Sequence, residues 1–382
     1  MQKLAYLAFT LLLCLGLTDF APALDNVVLK RDNREVQVAG RIVVEAQDGG
    51  LALLARDGTI WTVQPEELVR RTADDLPFKP FSREEMARHL LKELPEGFDV
   101  HSTTRYLIFY NTSRAYASWC GSLFERLYMA FTNYWTRKGF ELSTPEFPLV
   151  AIVFADKRSY TEFTRAELGE GAESIIGYFS LRTNRMTMHD LTGTEALTRF
   201  HNGRSTASQI NRILARPEAH GIVATIVHEA THQIAFNCGL HTRLSDCPLW
   251  FSEGIAVYFE TPDLGSSKGW RSIGALNRPR LARFRQYLTR RPADSLASLI
   301  RDDRRLRDPQ QSLDAYAEAW ALTYFLIRQR PEQYIAYLRT LSEKKPFVWD
   351  KPQARLEEFR QAFGDLKTLD AEFLRSLGRI RQ

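Results

Sequence analysis

Two histidines four residues apart, with a glutamate beside the first, occur in Val227-His228-Glu229-Ala230-Thr231-His232-Gln233, inside an apolar run over residues 222–236. On a helix, positions four apart share a face, so His228 and His232 can aim ring nitrogens at one metal ion with Glu229 alongside. Histidine is scarce, eight in 382 residues, which makes the pattern informative. The chemistry implied is zinc-assisted hydrolysis, with Glu229 as the general base that takes a proton from the attacking water. If both rings were ordinary core histidines, Glu229 would be buried without a charge partner, which is costly.

A catalytic zinc needs a third protein ligand and an open position. Glu253 supplies the ligand in Pro248-Leu-Trp-Phe-Ser-Glu-Gly-Ile-Ala-Val-Tyr-Phe-Glu260, a second helix-like stretch that Thr261-Pro262 stops. Cys238-Gly239 ends the first helix, so a loop can fold the second back across it. A third histidine close behind the motif is absent: His241 comes too late and without the glycine that such a continuation carries.

His-Glu-Ala-Thr-His-Gln, the stretch ending at Glu260, and Tyr316-Ala-Glu-Ala-Trp-Ala-Leu-Thr-Tyr-Phe-Leu together resemble the gluzincin clan, and within it exported bacterial peptidase-MA-like proteins. The resemblance covers about residues 100 to 340. It implies a zincin-like catalytic domain with a mixed sheet and an active-site helix, zinc on His228, His232 and Glu253, Glu229 as base and a peptide or protein as substrate. It also points to Tyr316 as the donor to the tetrahedral oxyanion, with Tyr258 and His241 as competitors. The chain departs from the clan at Val257, where many members place an aspartate that orients a histidine. Glu260 is a substitute for it or a solvated helix end, and both readings stand.

The elements that must position these residues follow from periodicity. Strand 106–110, helix 113–138, strand 148–154, helix 158–168 and a hairpin of 175–179 with 185–188 precede the metal helix. That order resembles the N-terminal half of a gluzincin catalytic domain, in which the hairpin gives an edge strand where an extended peptide adds. The catalytic domain is expected over 101–265. A helical part follows over 266–382, with helices at 281–290, 312–328, 332–341, 353–363 and 369–377. Tyr316 and Trp320 share a helix face, which also suits plain core packing.

Ahead of the catalytic domain, residues 1–23 read as a secretory signal: Lys3, an apolar stretch over 4–17, then Ala21-Pro22-Ala23. Export to periplasm, cell surface or medium follows, without stable membrane insertion after cleavage, because the apolar run is short. Residues 24–75 read as a small β-rich module, with strands at 36–38, 41–45, 51–54 and 59–63 and turns at 48–50 and 57–58. Residues 72–81 read as a linker, and Ser82 with Glu85 forms a capping box opening a helix that stops by Pro95, within a linker-and-helix stretch over 76–100.

The fold class is therefore α+β. A hydrophobic content of 44% with 25% charged residues suits a globular enzyme, and a net charge of +5 against 51 basic residues, with no aromatic-basic motif, argues against a nucleic-acid reader. The mixed-sign run 301–308 reads as solvated surface. In an oxidising compartment Cys238 and Cys247 make an attractive disulfide between the two ligand-bearing helices, leaving Cys120 as a buried thiol. A Cys/His metal site is the rival for these sulfurs, but no C-x-x-C spacing exists. The functional alternative is an exported zincin-fold protein that binds a peptide or envelope component without cleaving it.

Overall fold

A computed structural model describes residues 23–193, 206–261, 264, 270 and 272–380. Apart from Ala23, the expected export segment lies outside the described residues. Among them, no helix is long and apolar enough to cross a membrane. The fold is mixed α+β, with an N-terminal sheet and a helical C-terminal part.

The chain divides into two compact units. The first comprises residues up to Arg56 together with 62–79. Its strands are β1 (Ala23–Arg31), β2 (Arg34–Glu45), β3 (Leu51–Ala55), β4 (Ile60–Val63) and β5 (Leu68–Pro77), in the order β4-β3-β2-β1-β5. Asp32 and Asn33, both at positive φ, close the β1–β2 hairpin, the backbone that a two-residue turn between twisted strands requires. The stretches 36–38 and 41–45 are one continuous strand, β2. Most of the expected linker at 72–81 is β5, which pairs with β1 from Leu68 to Pro77. Nearly all its side chains are exposed, Val69 and Leu76 among them, so no alternation shows, and backbone pairing holds it in the sheet.

The second unit takes in residues 57–61 and 80 onward. Its sheet contains β6 (Asp99–Ser102), β7 (Tyr106–Tyr110), β8 (Leu149–Phe154), β9 (Gly177–Phe179) and β10 (Arg185–His189), in the order β6-β7-β8-β10-β9. Strands β7, β8 and β10 run parallel, and β9 lies antiparallel at the edge. Tyr-Leu-Ile-Phe-Tyr and Leu-Val-Ala-Ile-Val-Phe are apolar throughout because both sheet faces are covered. Helices α1 (Arg83–Glu93) and α3 (Lys157–Leu168) cover the face of Leu107, Phe109, Val150 and Ile152. Helix α2 (Arg114–Arg137) covers the face of Ile108, Ala151 and Val153, together with α4 (Ala207–Leu214) and α5 (His220–Asn237), which carries His228 and His232.

Helix α6 (Leu249–Phe259) carries Glu253. Beyond it come α7 (Arg278–Leu288), α8 (Ser295–Arg301), α9 (Arg304–Arg307), α10 (Ser312–Gln329), α11 (Pro331–Ser342), α12 (Pro352–Phe363) and α13 (Leu366–Gly378). Helix α10 packs across α6 and α7. Gly254 makes this possible: a Cβ there would overlap Thr323 Oγ1 and stand 3.0 Å from the Ala319 carbonyl oxygen. The run 301–308 is not simply solvated surface. Arg305 reaches the fully buried Glu318 at 2.8 Å, and Leu306 is buried.

The expected disulfide is not formed: Cys120, Cys238 and Cys247 are all free. Cys238 is buried against Tyr128, whereas Cys247 turns towards His241 Nδ1 at 3.7 Å. Burial first of all pushes their thiols up, to about 11 and about 12. The loop between α5 and α6 is tied down by charge instead. Arg355 donates to Asp246 at 3.0 Å and to Asp303 at 2.9 Å, and the same Asp303 oxygen accepts the Leu249 N–H at 3.1 Å, at the start of α6.

Candidate active site

Helix α5 presents the motif because its other faces are committed to the core. Val223, Ile226, Val227, Ala230 and Ile234 are buried, and Gln233 anchors the helix to the sheet by donating to Val150 O at 2.8 Å and Asn184 O at 3.2 Å. Asn184 sits at φ +61 in the turn between β9 and β10 and exchanges amide hydrogen bonds with Asn237 at 2.8 and 2.7 Å. The edge strand is thereby fixed against α5. Phe179 of β9 donates its backbone N–H to Glu229 Oε2 at 2.9 Å.

His228, His232 and Glu253 converge. His228 Nε2 lies 3.0 Å from Glu253 Oε2 and 3.1 Å from His232 Nε2, and His232 Nε2 lies 3.4 Å from the same carboxylate oxygen. His228 Nδ1 meets Glu260 Oε1 at 2.8 Å. An ionised carboxylate only accepts, so Nδ1 carries the proton and donates, which turns the Nε2 lone pair of the neutral ring towards Glu253 and His232. With the ring neutral, acceptors facing one another at these distances need a positive charge between them, which a bound cation or a second proton on His228 would supply. A small divalent cation in tetrahedral coordination sets its ligand atoms about 3.3 Å apart, close to the observed triangle, so these side chains could hold a metal ion.

The electrostatics point the same way. Burial disfavours a charged His228, but Glu253 and Glu260 outweigh it and raise its pKa well above the ordinary imidazole value. Burial also works against ionisation of Glu253 and Glu260, yet the histidines prevail and lower both, Arg280 helping at Glu260. Glu229 behaves differently. Burial raises its carboxyl above the ordinary range, with the histidines pulling against that and Glu253 adding to it.

Glu260 is therefore no solvated helix end. Its side chain is 11% exposed and accepts from His228, with Arg280 at 3.4 Å and Asn277 at 3.4 Å. It takes the orienting position that Val257 cannot fill. Of the three oxyanion-donor candidates, Tyr316 stands beside the centre: burial, then the charges of Glu253 and Glu229, raise its hydroxyl well above the phenol range, so it keeps its proton. The Tyr258 hydroxyl is committed to Tyr134 at 3.0 Å. His241 packs its ring on Phe236 and Phe251, and burial and the nearby His232 push its pKa down to about 3. Arg280 and the Phe179 N–H were not anticipated. Arg280 sits after a proline in a helix start with no motif, and a backbone N–H leaves no trace in side-chain identity.

A family described as "Protein of unknown function (DUF1570)" matches residues 222–348, a span that contains His228, Glu229, His232, Glu253, Glu260 and Tyr316. Comparison with curated proteins finds no match.

Proposed function

We propose that this chain is an exported zinc-dependent metallopeptidase with a gluzincin-like catalytic domain. The observation that carries the reading is the convergence of His228, His232 and Glu253, with His228 oriented by Glu260 and Glu229 beside them. Two imidazoles and a carboxylate make a donor set that suits zinc in a catalytic role. When bound, such an ion acidifies water and polarises the scissile carbonyl.

The chain's own residues supply the rest. Glu229, with its carboxyl raised by burial, takes a proton from the attacking water and passes it to the leaving nitrogen. The Phe179 N–H fixes one of its oxygens and leaves the other for that transfer. Tyr316, protonated throughout the working range, donates to the oxyanion as the carbonyl carbon becomes tetrahedral. Strand β9, at the sheet edge, offers its outer backbone groups to an extended peptide.

The test is metal analysis of the purified protein and of Glu253→Ala, with digestion of a mixed peptide library with and without chelator. One equivalent of zinc, lost in the variant, and chelator-sensitive cleavage are expected. Bound zinc with no chelator-sensitive cleavage would overturn the peptidase reading in favour of a binding protein.

A further inference from the structure

Beside the metal centre lies a cavity of about 640 Å³. One wall is the N-terminal half of α5, where Ala224 stands one turn before His228 on the same face. The opposite wall is the start of α7, with Arg278 and Arg280 in its first turn and Arg283 one turn on. Glu260, bonded to His228 on one side, lines the cavity on the other. Glu260, on the Nδ1 side of His228, and Arg280, which faces the Tyr316 ring, thus join the space to the centre.

Its charge is lopsided, three guanidinium groups against the single carboxylate of Glu260. Arg283 is committed to Asp314 at 2.7 Å. Arg280 shares itself between Glu260 at 3.4 Å and the face of Tyr316, with its guanidinium carbon 5.7 Å from the ring centroid. Arg278 is exposed and has no ion-pair partner among the described residues. Leu276, Pro279 and Leu313 give the same cavity an apolar lining. An apolar stem with a carboxylate at its end fits both features, whereas a lysine would meet the like charge of Arg278 with Arg280 beside it.

We propose that this cavity, joined to the centre through Glu260 and Arg280, is a substrate subsite and that it selects a carboxylate, read by Arg278 and Arg280. The proposal rests on the peptidase reading. The carboxylate can belong to an acidic side chain or to the peptide's own C-terminus, and the experiment separates the two.

Zinc-loaded full-length protein is assayed on matched fluorogenic peptides in which Glu, Gln or Lys is stepped through each position, each with a free or an amidated C-terminus. At one position Glu is expected to exceed Gln in kcat/KM by about tenfold and Lys by more. A preference that vanishes on amidation assigns the carboxylate to the C-terminus. Arg278→Glu is expected to reverse the Glu to Lys ratio. Equal cleavage of Glu and Lys peptides everywhere, or a ratio that Arg278→Glu does not move, overturns the proposal. A second arm measures binding of the Glu and Gln peptides to metal-loaded Glu229→Gln by calorimetry. Discrimination there without turnover in the parent protein would remove the peptidase reading and keep the subsite; turnover without discrimination would do the reverse. The absence of both overturns the subsite.

Discussion

His228, His232 and Glu253 bring three ligand atoms within 4.8 Å of one another, and so do Asp57, His89 and Glu93 in the same unit. The second trio has a cation built in. Arg185 donates to Asp57 at 2.6 Å and to Glu93 at 2.9 Å, and Asp57 also accepts the Thr59 hydroxyl at 2.6 Å and the Thr59 N–H at 3.0 Å. Its acceptors are already satisfied, and His89 and Glu93 remain 36% and 44% exposed. Among the described residues no guanidinium reaches the centre of the first trio: Arg280 stops at Glu260, outside the triangle. Residue types and spacing alone do not make a metal site. What separates the clusters is whether an arginine of the chain already neutralises the carboxylates, as Arg185 does in the second.

The sharpest test of that contrast is Glu229→Gln, which should keep its metal and lose hydrolysis by about 10²- to 10⁴-fold, read as kcat/KM on a cleaved peptide beside metal content. An unaffected rate would remove Glu229 as base and leave the proton transfer to another group. Glu260→Gln should weaken metal by about 10- to 100-fold in a competition titration, because the His228 Nδ1–H loses a charged acceptor for a neutral amide that makes the ring a weaker ligand and orients it less firmly. Unchanged affinity would mean that the triangle needs no outer support, and the first cluster would differ from the second only in lacking an arginine. Gly254→Ala should cost about 1 to 3 kcal/mol in denaturant unfolding, since α10 must move away from α6. Cleavage should fall further than stability explains, as Tyr316 moves with α10.

The first cluster was legible because its key spacing is local. Four residues on one helix put His228 and His232 together whatever the rest of the chain does, and a neighbouring helix with one central carboxylate left Glu253 as the partner. Glu260 stayed ambiguous because its partner is set by how α6 crosses α5, which no spacing encodes. The Cys238–Cys247 pairing failed for a related reason: a short separation allows a bridge, but Cys238 at a helix end and Cys247 beyond the loop turn their sulfurs to different neighbours. The sheet strands β7 and β8 were plain as unbroken apolar runs, while β5 was hidden by charged side chains and α9 by its arginines. His89 and Glu93 are only four residues apart, but Asp57 and Arg185 lie so far from them in sequence that the second cluster could not be seen.

That cluster gives the smallest effect, and the one that decides whether the contrast holds. His89→Ala removes a half-exposed ring whose Nε2 lies 2.9 Å from Glu93 and whose face meets Phe81 at 5.1 Å, while Asp57, Glu93 and Arg185 keep one another. A partly exposed pair of this kind contributes about 0 to 1 kcal/mol, so unfolding should shift by no more than that. Metal content should stay at one equivalent in parent and variant alike, because a divalent ion at Asp57 would have to displace Arg185 from a carboxylate that it already neutralises. A second equivalent in the parent that His89→Ala abolishes would show that an arginine in the centre does not disqualify a site, and the argument that singles out His228, His232 and Glu253 would lose its electrostatic ground.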